Sequence, residues 1–282
     1  MDRDFFTARL VETRAMGSGY ALLRLQGCGP LSGARAGQFV MLRGDWGRDP
    51  ILPRAYSILS CGGDEARFLV QQVGRGSGLL ARATPGAPLT VLGPLGNGFP
   101  EPGPGQSDLL VAGGCGLPPL HLAASQAAEA GRASRVELLL GARTADQLLP
   151  SLLDELREPE IAIQLATEDG SAGQRGLVTD LLERRLGETD TAREAGGLPG
   201  SAGRARETST TRRILACGPP AMLRAVREVA RRHDTRCFLS LEAEMACGLG
   251  ACLGCAVQAR RGSQYLHVCA DGPVFDGEDV WP

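Results

Sequence analysis

Four cysteines constrain the fold of this chain more than any other feature: Cys247, Cys252, Cys255 and Cys269. They stand in 246-ACGLGACLGCAVQARRGSQYLHVC-269, spaced C-x4-C-x2-C, then thirteen residues, then C. A stretch with three thiols so close together must wrap around something rather than run as a regular strand or helix. Gly248, Gly250 and Gly254 lack a Cβ and allow the tight and left-handed turns that wrapping needs.

The spacing is that of a plant-type [2Fe–2S] site. Four thiolates converge on a two-iron rhomb, and N–H groups brought close by the glycines can donate to sulfur and tune the potential. Structural zinc is the first competing reading. Zinc sites pair their cysteines in two C-x2-4-C knuckles, whereas here three crowd together and the fourth is single. Disulfides are the second. The start of the chain, MDRDFFTARLVETRAMGSGY, has no basic segment leading into an apolar one, so no signal peptide is expected. In a cytoplasmic chain such clusters more often bind metal or catalyse. The expectation is a cytoplasmic protein that moves electrons singly.

A chain of 282 residues has room for about two domains and a small third module. Formal charge is −2, so no basic surplus points to nucleic acid. No apolar run approaches the roughly 20 residues of a membrane span. All 30 basic residues are arginine, which reads as genomic base composition rather than mechanism. Cys28, Cys61 and Cys237 are expected to be small buried hydrophobes. His121, His233 and His267 have no metal-ligand spacing.

Residues 1–100 read as an antiparallel β barrel, with alternation in 20-YALLRLQ-26, 38-QFVMLR-43, 67-RFLVQQV-73 and 88-PLTVLG-93. The Pro- and Gly-rich 98-GFPEPGPGQSD-108 reads as an interdomain connection. From 107 to 239 strands alternate with helices: strands at 109–114, 135–143, 160–167 and 213–218, helices at 118–131, 146–157, 176–186 and 219–233. That rhythm implies an α/β domain, a parallel sheet covered on both faces. Gly187–Thr211, with Leu198 as its one large apolar residue, is expected to be a disordered insertion. Residues 240–282 form the cysteine module, too short for much core and dependent on its metal centre and on docking.

Three segments bear chemistry. In 54-RAYS-57, Arg54 can pair with a pyrophosphate through its planar fork. Tyr56 offers a flat face to an isoalloxazine, and Ser57 a hydrogen bond near its reactive nitrogen. The turn 74-GRGSGLL-80 leads into a short helix whose N–H groups can face a phosphate. Packing and an ordinary hairpin turn explain either segment alone; together they favour a flavin. The segment 111-VAGGCGLPPL-120 stands between a strand and a helix, the place of a nucleotide loop. There Gly113, Gly114 and Gly116 allow close approach, and Pro118 or Pro119 suits the first helical turn. Finally, 216-ACGPPAML-223 brings Cys217 to the same sheet edge as Gly114. Nothing near Cys217 makes it a nucleophile.

In this order RAYS, the glycine turn, GGCGLPP and ACGPPAM resemble the ferredoxin–NADP reductase superfamily. The segments 93-GPLGNGF-99, 167-TEDGSAGQRGLVTDLL-182, ACGLGACLGC and 269-CADGPVF-275 narrow the likeness to the electron-transfer subunits of class 1B dihydroorotate dehydrogenase. The resemblance covers nearly the whole chain apart from 187–211. It implies that NADH delivers a hydride to FAD, whose electrons pass singly through the [2Fe–2S] cluster. They would be exchanged with FMN in a separate catalytic subunit that interconverts dihydroorotate and orotate, in pyrimidine biosynthesis.

It further implies a heterotetramer of two copies of each subunit, with the 247–269 surface as the docking face. By position, Arg54, Ala55, Tyr56 and Ser57, Leu69, Val70 and Gln71, and Gly76 and Ser77 would bind FAD. Gly113, Gly114, Gly116 and Cys217 would line the NAD site, and the four cysteines would hold the cluster; no residue is assigned a catalytic role. The chain departs from the pattern at Ala55-Tyr56, where a Pro-aliphatic pair is common. Ser77 replaces a threonine and Cys115 an aliphatic residue. The rival on the same scaffold is a small subunit of an NAD(P)H:ferredoxin oxidoreductase, sulfide dehydrogenase or hydrogenase complex. A redox sensor would need a signalling segment that the sequence does not show, and a zinc module would leave the nucleotide segments unexplained.

Overall fold

The computed structural model describes residues 4–195, 211–260 and 264–281. The first sheet is built from β1 (Asp4–Gly17), β2 (Tyr20–Gln26), β3 (Phe39–Gly44), β4 (Arg54–Ser57), β5 (Ser60–Gly62), β6 (Glu65–Gln71) and β7 (Pro88–Leu95), with helix α1 (Arg75–Ala81) before β7. All its pairings are antiparallel, in the order β4-β3-β7-β1-β2-β6-β5. The edge strands β4 and β5 are separated in sequence by Ile58 and Leu59 alone. Leu59 N–H bonds Arg67 O at 3.0 Å and Ile58 N–H bonds Gln38 O at 3.2 Å, so the sheet curls back on itself as the expected barrel. Strand β1 escapes the sequence reading because register shifts at Leu10/Glu12 and Ala15/Gly17 interrupt its alternation.

The second sheet contains β8 (Ser107–Gly113), β9 (Val136–Ala142), β10 (Ala162–Thr167), β11 (Gln174–Arg175), β12 (Arg212–Cys217), β13 (Arg236–Ser240) and β16 (Val274–Asp276). Its order is β11-β10-β9-β8-β12-β13-β16, parallel throughout except for β16. Helices α2 (Leu117–Glu129) and α3 (Pro150–Arg157) cover one face, and α4 (Val178–Ala195) and α5 (Pro220–Arg232) the other. Alternate residues of β8 serve the two faces: Leu110 packs with Leu120 and Leu152, and Val111 with Leu182 and Val226. Each such leucine contributes about 1.5–3 kcal/mol by leaving water. The chain runs outward from β8 through β9 to β10, then restarts at β12 on the other side of β8. That reversal opens a crevice beyond the carboxyl ends of β8 and β12.

Helix α4 continues to Ala195, into the segment Gly187–Thr211 read from the sequence as an insertion. Glu188 pairs with Arg184 at 3.9 Å and Arg185 at 3.4 Å, one turn away, which supports the extra turns. The remainder of that insertion, 196–210, lies outside the described residues.

Three contacts close the barrel against the α/β sheet away from the crevice. Arg67 of β6 forks onto Glu155 of α3 at 2.9 and 2.7 Å. Gln126 of α2 bridges Ala34 O at 2.9 Å and Ala36 N–H at 3.2 Å. Burial alone would raise the Glu155 carboxyl, but His121 Nε2, 3.5 Å away, and the Arg67 fork hold it down at about 2. The connection after β7 is anchored by the buried Arg213, which pairs with Asp108 at 2.5 Å and donates to Pro100 O at 2.7 Å.

The cysteine segment adds the hairpin β14 (Ala256–Gln258) and β15 (Tyr265–His267) before β16 returns to the α/β sheet. Val274 pairs with Ser240, so the segment leaves and re-enters the sheet at one point. Among the described residues no helix is long and apolar enough to cross a membrane.

Candidate functional site

One groove of about 730 Å³ joins all three parts of the molecule. Arg54, Tyr56 and Ser57 of β4 line one wall, with Leu69 and Gln71 of β6. Cys115 and Pro118 come from the loop after β8, and Glu242 from the chain leaving β13. The far end reaches Gly254, between Cys252 and Cys255.

The barrel end has the donor set of a flavin nucleotide site. Arg54 Nη1 bonds only backbone carbonyls, those of Leu52 at 2.7 Å and Pro53 at 3.3 Å, and among the described residues no carboxylate pairs with it. Its guanidinium lies against the backbone of Gly76, where a Cβ would stand 2.8 Å from Arg54 Nε. The glycine therefore sets the position of the charge, and an unpaired fork in a groove fits a phosphate oxygen pair. Tyr56 is half-buried, its hydroxyl pushed up to about 12 by burial. Alternation along β6 points Leu69 and Gln71 into the groove and sends Val70 into the barrel core. Ser77 lines the groove, but its hydroxyl accepts from the N–H groups of Val73 at 3.0 Å and Gly74 at 3.1 Å. In this structure that hydroxyl shapes the turn.

At the crevice the three glycines of the β8 loop divide their work. A Cβ on Gly113 would overlap Met222, and one on Gly116 would overlap the carbonyl of Cys217. Both serve protein packing. Only Gly114 is open, with φ +55° and the Tyr20 hydroxyl 3.9 Å from where a Cβ would sit. Cys217 is buried beneath Gly116, its thiol raised by burial first and by Glu242 second.

Sequence reasoning missed Glu242 and Tyr20. Cys115 Sγ donates to Glu242 Oε1 and Oε2 at 3.4 and 3.5 Å. Glu242 is exposed along the groove, yet the protein atoms around its carboxyl desolvate it and raise it, against the thiol hydrogen bond that lowers it. Burial, then Glu242, pushes Cys115 up to about 12, and Tyr20 rises to about 12 mainly by burial. Glu242 stands two residues beyond β13, at the carboxyl edge of the sheet. The strand-end rule finds it only once 236–240 is recognised as a strand.

At the far end the four thiols form two pairs. Cys255 Sγ and Cys269 Sγ are 3.2 Å apart. Cys247 Sγ accepts from the N–H groups of Leu249 at 3.4 Å and Cys252 at 3.5 Å, and Cys252 also reaches it by side chain. The amide of Gly250 donates to Cys269 Sγ at 3.1 Å and that of Cys269 to Cys255 Sγ at 3.5 Å. The Leu249 and Cys252 amides draw the Cys247 thiol down to about 6. Cys269 is pushed up to about 12 by burial and by Cys255. Among the described residues no three His, Cys or carboxylate groups converge as on a single metal ion. Two pairs suit a two-iron cluster, which takes two thiolates on each iron, better than a tetrahedral zinc. The loop turns left-handed at Gly248, Gly250 and Leu253; Gly254, expected to do so, does not.

A nucleotide groove between an antiparallel barrel and a parallel sheet, ending at four thiols, defines the class: a ferredoxin-reductase-type electron-transfer protein with an iron–sulfur module. The iron–sulfur cluster binding domain of dihydroorotate dehydrogenase B matches residues 242–281, and the oxidoreductase NAD-binding domain matches 110–228. A dihydroorotate dehydrogenase B (NAD(+)) electron transfer subunit from Bacillus caldolyticus is 37% identical over 254 residues, 86% of each chain. The one from Caldanaerobacter subterraneus subsp. tengcongensis is 34% identical over 246 residues, again 86% of each. A solved NADH-dependent reduced ferredoxin–NADP oxidoreductase superimposes with a TM-score of 0.76 at 27% identity, covering 97% of this chain and 89% of that one. The chain belongs to the family of dihydroorotate dehydrogenase B electron transfer subunits.

Proposed function

We propose that this chain passes electrons between a dihydroorotate-oxidising catalytic subunit and NAD+, in pyrimidine biosynthesis. The observation that carries the reading is the single groove running from Arg54–Ser57 past Cys115 and Glu242 to the cysteine loop. Bound FAD exchanges a hydride with nicotinamide and releases electrons one at a time, and a [2Fe–2S] cluster carries them singly.

The chain's own residues supply the positions. Arg54 holds the flavin pyrophosphate against Gly76, with Ala55, Tyr56, Ser57, Leu69, Gln71 and Ser77 around the rest of the nucleotide. Gly114 leaves space for the nicotinamide, above Gly113, Gly116 and the buried Cys217. Glu242 faces that space from the open wall of the groove. Cys247 and Cys252 take one iron and Cys255 and Cys269 the other. The corresponding modules are 1–100, 107–239 and 240–282.

The partner is an FMN-containing catalytic subunit, two copies of each chain forming a heterotetramer. Leu249, Leu253 and Tyr265 are exposed around the thiols and supply the apolar part of its docking face. A cluster held by four thiolates fits the reducing cytoplasm.

Protein purified anaerobically should carry FAD, iron and acid-labile sulfide, and should bleach with NADH. With its partner it should couple dihydroorotate oxidation to NAD+ reduction. A pair that uses fumarate or quinone and ignores NAD+ would overturn the reading. One observation favours a second reading, a subunit of an NAD(P)H:ferredoxin oxidoreductase: the likeness to the solved oxidoreductase extends over 97% of the chain. Recovery of a ferredoxin-linked partner in place of the FMN subunit would select it.

A further inference from the structure

Asn97 lies in the loop after β7, half-buried between the barrel and the segment that follows Cys269. Its backbone N–H donates to Gly272 O at 2.7 Å. Its Nδ2 donates to the carbonyls of Asp271 at 2.9 Å and Val274 at 3.0 Å. Its Oδ1 accepts from the Val274 N–H at 3.0 Å. A carboxamide offers two donor hydrogens and an acceptor, and here all of them go to one short stretch of backbone.

The same loop is fixed to the barrel from its other side. Gln38 Nε2 donates to Gly96 O at 2.9 Å, and the Phe99 N–H donates to Ala36 O at 2.8 Å. Phe39, next to Gln38, pairs with Ser57 of β4 and lines the groove. On the far side, Asp271 is two residues beyond Cys269. Asn97 is thus the link in a short path from the barrel wall of the groove to the thiol loop. No part of the nucleotide or cysteine site uses it directly.

We propose that Asn97 is a positioning residue, whose carboxamide fixes the cysteine loop relative to the Tyr56–Ser57 wall. The proposal rests on the FAD and cluster reading above. Electron transfer falls steeply with the separation of the two centres, so a loop free to drift by a fraction of its width slows it. The module does not depend on Asn97 to fold. Strand β16 pairs with β13 through three residues, and Arg227 Nη1 holds the carbonyls of Val280 at 3.0 Å and Trp281 at 3.1 Å.

The test compares the native holoprotein with Asn97→Ala and Asn97→Asp. Hydrogen exchange by mass spectrometry should show lost protection in 264–281 and none in the loop after β8. Anaerobic stopped-flow bleaching of the flavin by NADH should stay within about twofold of native. Appearance of the reduced-cluster EPR signal after mixing with NADH should slow by about tenfold or more, since misplacing reacting groups by ~1 Å can cost up to about 100-fold. Cluster reduction at the native rate would overturn the proposal, as would equal slowing of bleaching and cluster reduction, or unchanged exchange in 264–281. If the alanine variant loses its iron, Asn97→Asp decides by the same criteria. It keeps the acceptor for the Val274 N–H and lacks both donations. A native protein that does not bleach, or gives no iron–sulfur signal, would count against the functional reading; hydrogen exchange would still judge the clamp.

Discussion

The two ends of the groove are built in opposite ways. At the cysteine end every proposed ligand comes from the single segment 247–269, and four amides of the same segment point at the sulfurs. At the nucleotide end no single element makes the site. Arg54 comes from β4, Gly76 from α1, Gly114 from the β8 loop and Glu242 from the chain beyond β13. A local site should fail as a unit when one donor is removed. An assembled site should lose function by degrees, since each element is held in place by its own packing.

The largest effect should come from Cys269→Ala. Iron, sulfide and the reduced-cluster EPR signal should all be lost, while NADH still bleaches the flavin. Retained iron at native stoichiometry would break the comparison, because the pair with Cys255 would then not be a ligand pair.

Next is Arg54→Gln. A charge-assisted hydrogen bond is worth about 1.5–3 kcal/mol, so flavin affinity should fall about 10- to 100-fold with iron content unchanged. Titration of the apoflavoprotein with FAD checks this. Unchanged affinity would remove Arg54 from the site.

Gly116→Ala should act through packing, because the new methyl meets the Cys217 carbonyl. Overpacking of this kind costs about 1–3 kcal/mol. Calorimetry should show Tm lowered by about 2–4 °C for each kcal/mol. An unchanged Tm would mean that the crevice yields freely, and that its glycines are not set by the fold.

The smallest effect concerns Glu242. A carboxyl raised in the folded state is ionised at a cost, and that cost grows as pH rises above its ordinary value of 4.5. Relative to native, Glu242→Gln should therefore gain more Tm at pH 8 than at pH 5, by a few degrees at most. An equal gain at both values would show that the open groove solvates the Glu242 carboxylate fully.

The sequence was most readable where chemistry is local. The cysteine spacing needs no partner strand to be recognised, because wrapping a cluster is a property of one loop. The strand–helix rhythm of 107–239 was legible for the same reason: β8 and β12 carry continuous apolar runs buried on both faces, at 109–112 and 214–217. Strand β1 was not, since its bulges break the alternation that marks a half-exposed strand. The extension of α4 past Gly187 was also missed. Its first added turn carries the pairing of Glu188 with Arg184 and Arg185, which composition does not reveal.

By itself the sequence determined the donor types and their local geometry: four thiols on one loop, an arginine fork on a strand end, a glycine turn between β8 and α2. Only the tertiary structure decided which glycines are closed off by packing and that Gly114 stays open, that Val70 faces the core, and that Ser77 caps its own turn. It alone brought Glu242, Cys115 and Tyr20 together. Contacts between residues more than a hundred positions apart depend on how sheets pack. Packing is set by the whole apolar pattern, and no short stretch of sequence contains it.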